Sequence, residues 1–197
     1  MKSLPRSAAA VAAVLVATLA ACTGTGTGTG TDRSPAPTIE TSTTPLSAEP
    51  AEGSMLSNDD FSFTMPEGWA ESEQTRAIAL AIDLEDHDAF PDNINVVTDD
   101  TVVGLEGAEL EEAAEQILAD ASATHITTKE PVQIDGEQAV HTSAYVELSN
   151  PKHRVEQYVV VHDETGYIVT VSFSPDVPAA ERDALSESIL TTWRWDS

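Results

Sequence analysis

The second half of the chain consists of strand-like segments joined by very short connections, and this limits the available folds more than any other feature of the sequence. Val132-Gln133-Ile134 runs into Asp135-Gly136, a pair that tolerates the positive φ angles of a tight hairpin turn. Ala139 to Leu148 is a long strand-like stretch, and Asn150-Pro151-Lys152 turns it into Val155 to Val161. Asp163-Glu164-Thr165-Gly166 then turns the chain into Tyr167 to Phe173, where Val169, Val171 and Phe173 alternate with Thr170 and Ser172. That period of two is the mark of a strand. Connections this short hold no crossover, so consecutive strands are expected to be antiparallel neighbours.

The first half adds strands and one clear helix. Phe61, Phe63 and Met65 alternate with Ser62 and Thr64, and Pro66-Glu67-Gly68 turns the chain into Trp69. Ile78, Leu80 and Ile82 mark a second strand with alanines on its other face. Ile94 to Val97 is a third, and Thr124 to Thr128 is rich in β-branched residues. Between them Leu110, Ala113, Ala114, Ile117, Leu118 and Ala121 follow helical spacing. Glu109, Glu111 and Glu112 sit in the first turns, where the helix dipole favours acids. A second helix starts near Pro178, with Leu185, Ile189 and Trp193 along one face. Strands, helix, strands, helix make residues 58–197 a single α+β domain. The expected architecture is an antiparallel sheet of about six to seven strands. Several strands are apolar on both faces, which predicts helices flanking the sheet on each side.

The N-terminal end reads differently. Lys2 and Arg6 precede an apolar run from about Ala8 to Ala21, the layout of a secretory signal over residues 1–21. The run is shorter than the roughly 20 apolar residues of a membrane span. It closes on Leu19-Ala20-Ala21-Cys22, which resembles the bacterial lipobox. In that family the cysteine sulfur receives a diacylglycerol and the cysteine becomes the mature N-terminus. Cys22 is the single cysteine of the chain, and its thiolate is the soft nucleophile such an alkylation requires. The expected location is the cell membrane, lipid-anchored and facing outside the cytoplasm. In an ordinary signal peptide Cys22 would remain a free thiol. Residues 22–57 then read as a linker of Thr-Gly alternation followed by Pro35, Pro37, Pro45 and Pro50, with no core-forming pattern. About 35 such residues reach roughly 30–35 Å.

Composition narrows the function. Nine Lys and Arg stand against 34 Asp and Glu, a formal charge of −25. Such a surface repels nucleic acid and anionic lipid head groups. With one cysteine no intrachain disulfide is possible, so stability must come from a packed core. The chain has no Gly-x-Ser-x-Gly elbow, no His-Glu-x-x-His and no phosphate-cradling glycine loop ending in lysine. No catalytic residue and no cofactor are expected.

A few residues stand out as binding candidates. The only basic cluster of the mature chain, Lys152-His153-Arg154, is expected at a hairpin tip, where it is either an exposed turn or a dock for an anionic partner. Trp195, beyond the last helix, packs at the edge of the core or lines an apolar groove. Asp83, Glu85, Asp86, Asp88 and Asp92 form the densest oxygen cluster; hard cations such as Ca²⁺ take six to eight oxygens. The spacing is not that of an EF-hand, and a solvated acidic loop is the plainer reading. His141 and His162 on neighbouring strands would make a two-histidine zinc site conceivable. Paired carboxylates of a hydrolase are a further alternative.

Phe61-Ser62-Phe63-Thr64-Met65-Pro66-Glu67-Gly68-Trp69 resembles the opening strand and Pro-x-Gly-Trp turn of PsbP-like domains. Ile134-Asp135-Gly136-Glu137-Gln138-Ala139 resembles their mid-domain hairpin. Gln157 to Phe173 with the Trp193 helix resembles their closing hairpin and C-terminal helix. Together with the lipobox and spacer, the chain is similar to the actinobacterial LpqN/LpqT-like lipoproteins over roughly Asp60 to Trp195. The resemblance implies an α/β/α sandwich and a non-enzymatic binding or accessory protein of the cell envelope. Its partner would be a protein, a lipid or cell-wall material, and a monomer is expected. The family shares no catalytic motif to carry over.

Overall fold

The hairpins legible in the second half form the central ladder of the computed structural model of the chain. The structure describes residues 43–73, 76–87, 90–147 and 151–196, all within the compact unit Glu40–Ser197. In chain order the elements are β1 (Met55–Ser57), β2 (Phe61–Thr64), β3 (Trp69–Glu71), β4 (Ala79–Asp83) and β5 (Asn93–Thr98). A single 3-10 turn (Asp100–Val102) leads to α1 (Ala108–Asp120). Then come β6 (Ala123–Thr128), β7 (Val132–Ile134), β8 (Glu137–Val146), β9 (His153–His162), β10 (Thr165–Phe173), α2 (Ala179–Leu190) and β11 (Arg194–Trp195). The fold is a sheet-dominated α+β domain. Among the described residues eleven strands form two sheets, where the sequence predicted about six to seven strands in one.

The large sheet runs β3-β4-β5-β10-β9-β8-β6, with β7 also pairing with β8. All its pairs are antiparallel. The β7–β8 turn is the expected one, with Asp135 at φ 45° and Gly136 at φ 96°. The β9–β10 turn is tighter than expected. Thr165 already pairs with His162, leaving Asp163 and Glu164 at φ 45° and 65°. Left-handed conformations cost a side-chain-bearing residue about 1 kcal/mol each. Gly166 therefore serves the strand and not the turn. A Cβ there would run into the Asp99 carbonyl and a Val102 methyl, so its absence lets the 3-10 turn lie on β10.

Two corrections to the expected layout have physical causes. The small sheet β1-β2-β11 was not foreseen, because its outer strands have three and two residues. Its first strand also lies within the stretch expected as linker to residue 57. Leu56 is buried and Leu46 packs against the same core. Thr44 bridges to Val132, and Ala51 N–H donates to the Ser188 carbonyl. Residues 43–57 are thus a strap over the domain, held by backbone bonds that side-chain composition does not reveal. In β4 the buried face is Ala79 and Ala81, while Ile78 is exposed. Register sets this: Ala79 pairs with Val96 and Ala81 with Ile94, both buried.

The main core gathers Phe61, Phe63, Trp69, Tyr158, Val160, Val169, Val171, Phe173, Ile189 and Trp193. Trp193 stacks on Phe61 and Phe63 with ring centroids 4.4 and 5.2 Å apart. A second cluster joins Leu110 and Ala114 of α1 to Val140, Val159 and Ile168. Successive strand residues point to opposite faces, so Val159 and Val160 feed different clusters.

Candidate functional site

Among the described residues, a group of charged side chains meets under α2, around Glu156. This residue sits mid-strand in β9, opposite Ser143 of β8 and Val171 of β10, with its side chain fully buried. An isolated buried carboxylate would be prohibitively costly, and here each oxygen accepts two hydrogen bonds. Oε1 receives Ser143 Oγ at 3.0 Å and Arg182 Nε at 2.9 Å. Oε2 faces Lys129 Nζ at 3.0 Å and His141 Nε2 at 3.0 Å.

The donors come from separate elements. His141 and Ser143 alternate on β8, so both point to the face shared by Glu156 and Tyr158. Lys129 follows β6, its backbone N–H bonded to the His141 carbonyl. Arg182 enters from the first turns of α2, where its Nη1 also donates to the Val177 carbonyl at 2.8 Å. Asp183, next along α2, takes the second contact of Lys129 at 2.5 Å. The first half of α2 is therefore anchored by charge through Arg182, while Ile189 and Leu190 anchor its end in the apolar core.

Burial pushes the Glu156 carboxyl up, but the hydrogen bonds and charges of His141 and Lys129 outweigh it and hold the group at about 2. Tyr158 stacks on His141 with centroids 4.3 Å apart. Its phenol is driven well above the ordinary range, first by burial and then by the Glu156 charge. Chemically the cluster is a knot of opposite charges, two carboxylates against one ammonium, one guanidinium and the His141 imidazole. A 730 Å³ cavity lies elsewhere, at the start of α1. Leu105, Leu110, Val140 and Val161 line it together with Glu106, Glu111 and Glu137.

The residues singled out from sequence are dispersed. Cys22 and Asp88 lie outside the described residues. Lys152 pairs with Glu147 at the surface, His153 stacks on Phe90, and the Arg154 guanidinium lies 4.4 Å over the Tyr145 ring. Trp195 stacks on His162 at the opposite end of β9. Nine strand steps put it roughly 30 Å from the Lys152–Arg154 end, so the two do not share a site. Its indole N–H donates to the Ile134 carbonyl, and its ring packs on Phe61, Tyr167 and Trp193 as a partial cover of the core.

In the acidic loop Asp83 Oδ1 accepts the backbone N–H groups of Glu85 and Asp86. Asp86 accepts that of Asp92, and Asp92 that of Ser174. These carboxylates shape the loop. His141 faces Glu156, and His162 faces Glu137 at 3.0 Å. His141 pairs with Tyr158, four residues before His162, so the two imidazoles stand roughly 13 Å apart along the strand and form no joint site. Glu156 itself was missed. Its signal was a lone acid and amide, Glu156-Gln157, inside the otherwise apolar run Val155–Val161.

No protein-family model and no curated protein matches the chain. Solved structures do. The cyanobacterial PsbP of Synechocystis sp. PCC 6803 is similar with a TM-score of 0.52 at 14% identity, over 72% of this chain and 91% of that one. LpqN of Mycobacterium tuberculosis, described as involved in cell envelope biogenesis, gives 0.52 at 13% identity, over 73% and 84%. The chain also spans about half (48%) of a Bacteroides thetaiotaomicron protein, with a TM-score of 0.47. The fold is PsbP-like.

Proposed function

We propose that the chain is a lipid-anchored, extracytoplasmic accessory or binding lipoprotein of the cell envelope, without enzymatic activity. The observation that carries this is Leu19-Ala20-Ala21-Cys22, closing a charged-then-apolar leader ahead of a PsbP-like domain. The fold shared with LpqN, an envelope protein by its description, supports the same reading. No helix among the described residues is long and apolar enough to cross a membrane. Two acyl chains would supply stable attachment, at about 0.8 kcal/mol per buried methylene. The 730 Å³ cavity at the start of α1 is of ligand size and supports a binding role. The opposite burial of Val159 and Val160 supports a layered arrangement with α1 and α2 on different faces. The domain acts as a monomer on a protein, lipid or cell-wall partner, and does not bind nucleic acid.

Cell fractionation and intact mass of the mature N-terminus test the proposal. The wild-type chain is expected in the membrane fraction, beginning at a diacylated Cys22. Cys22→Ser should appear in the soluble extracytoplasmic fraction. Recovery of the wild type with an unmodified thiol would overturn the reading.

A further inference from the structure

We propose that His141, Glu156 and Asp183 form a latent divalent-metal site of the zinc type, which the chain's own Lys129 closes by placing its ammonium where the ion would sit. One ligand atom from each of the three residues lies within 4.8 Å of the other two, and they come from three different elements. Zinc bonds of 2.0–2.1 Å set tetrahedral ligand atoms about 3.3 Å apart. His141 Nε2 and Glu156 Oε2 are already 3.0 Å apart.

A cation already occupies the place between the carboxylates. Lys129 Nζ lies 3.0 Å from Glu156 Oε2 and 2.5 Å from Asp183 Oδ1. The surroundings are graded in depth: the Glu156 side chain is 0% exposed and that of His141 7%, while Lys129 and Asp183 show 27% and 38%. The lysine therefore has a route out to water, and an ion entering from the Asp183 side meets two rigid inner ligands.

Supporting contacts aim those ligands. Ser143 and Arg182 hold Oε1 of Glu156 and leave Oε2 turned towards the ammonium. The Tyr158 ring stacks on His141 and fixes its plane. Such outer contacts preset ligand orientation at metal centres. An imidazole with two carboxylates suits Zn²⁺ better than Ca²⁺, which prefers oxygen alone. Exchange of the ammonium for a divalent ion adds one positive charge at the site and two to the chain, since Lys129 swings out still charged. The Nε2 proton of His141 passes to Nδ1 or to water, and a chain of formal charge −25 accommodates the gain.

Zinc calorimetry on the full chain tests the proposal, with Co²⁺ absorption as the spectroscopic probe. Lys129→Met keeps the aliphatic stem and removes the plug. It should bind one Zn²⁺ at least about tenfold more tightly than wild type, the size of a typical coupling between competing cations, and give intense visible Co²⁺ bands. Asp183→Asn added to this variant should cost about tenfold or more in affinity. Lys129→Gln, which keeps hydrogen-bonding capacity at the plug position, should behave like Lys129→Met and serves if that variant fails to fold. Absence of zinc binding by the Lys129 variants, affinity equal to wild type, or affinity indifferent to Asp183→Asn would each overturn the site.

Discussion

At the scale of single residues, Glu156 governs the chemistry of the interior. Its carboxyl is held at about 2 against an ordinary 4.5. A carboxyl depressed by folding contributes its full stabilisation above the unfolded value, and the contribution is lost as pH falls from about 4.5 towards 2. The difference corresponds to about 3 kcal/mol. Urea titrations across that window should show the loss in wild type, and Glu156→Gln should remove this component of the pH dependence. At neutral pH the same substitution leaves Lys129 and Arg182 facing an amide and should cost about 3–5 kcal/mol. Equal stability of the two proteins at pH 7 would contradict the account. Glu156 was hard to single out in a sequence with 34 acids. Clusters along the chain are visible, as in Asp83 to Asp92, whereas the partners of Glu156 come from positions 129, 141, 143 and 182 and meet only through the β8–β9 register and the approach of α2.

At the scale of elements, the long hairpins and both helices were readable, since period and turn chemistry are local properties. α1 was expected around Leu110–Ala121 and spans Ala108–Asp120. What escaped was structure whose stability is not local. β1 has three residues and β11 two, and neither could persist away from β2. The buried alanine face of β4 escaped for a related reason, since small residues are chosen there by the size of Val96 and Ile94 across the ladder. The strap gives a measurable consequence. A chain starting at residue 58 loses Leu56, whose burial is worth about 3 kcal/mol, and should melt about 10 °C below one starting at residue 43. Thermal unfolding of the two fragments decides it, and coincident melting curves would mean that β1 adds nothing.

At the scale of the whole molecule, charge and fold point the same way. Of nine basic residues, Lys129 and Arg182 are engaged by Glu156, Lys152 by Glu147 and Arg194 by Asp135. The other five stand against 34 Asp and Glu, so the chain as a whole remains strongly negative. The Cys22→Ser chain should therefore fail to sediment with anionic phospholipid vesicles, at low salt as well as at physiological salt, because repulsion only weakens as ions screen it. Co-sedimentation at low salt would refute this. The strap described above also has a mechanical meaning. A pull from the N-terminal side loads Thr44–Pro131 and Ala51–Ser188 first, then the three-residue ladder of β1 on β2. Only after these have peeled away does force reach the ten-residue strands of the central sheet. In the membrane-anchored chain proposed above, such a strap would work as a mechanical fuse, yielding first while the central sheet keeps its shape.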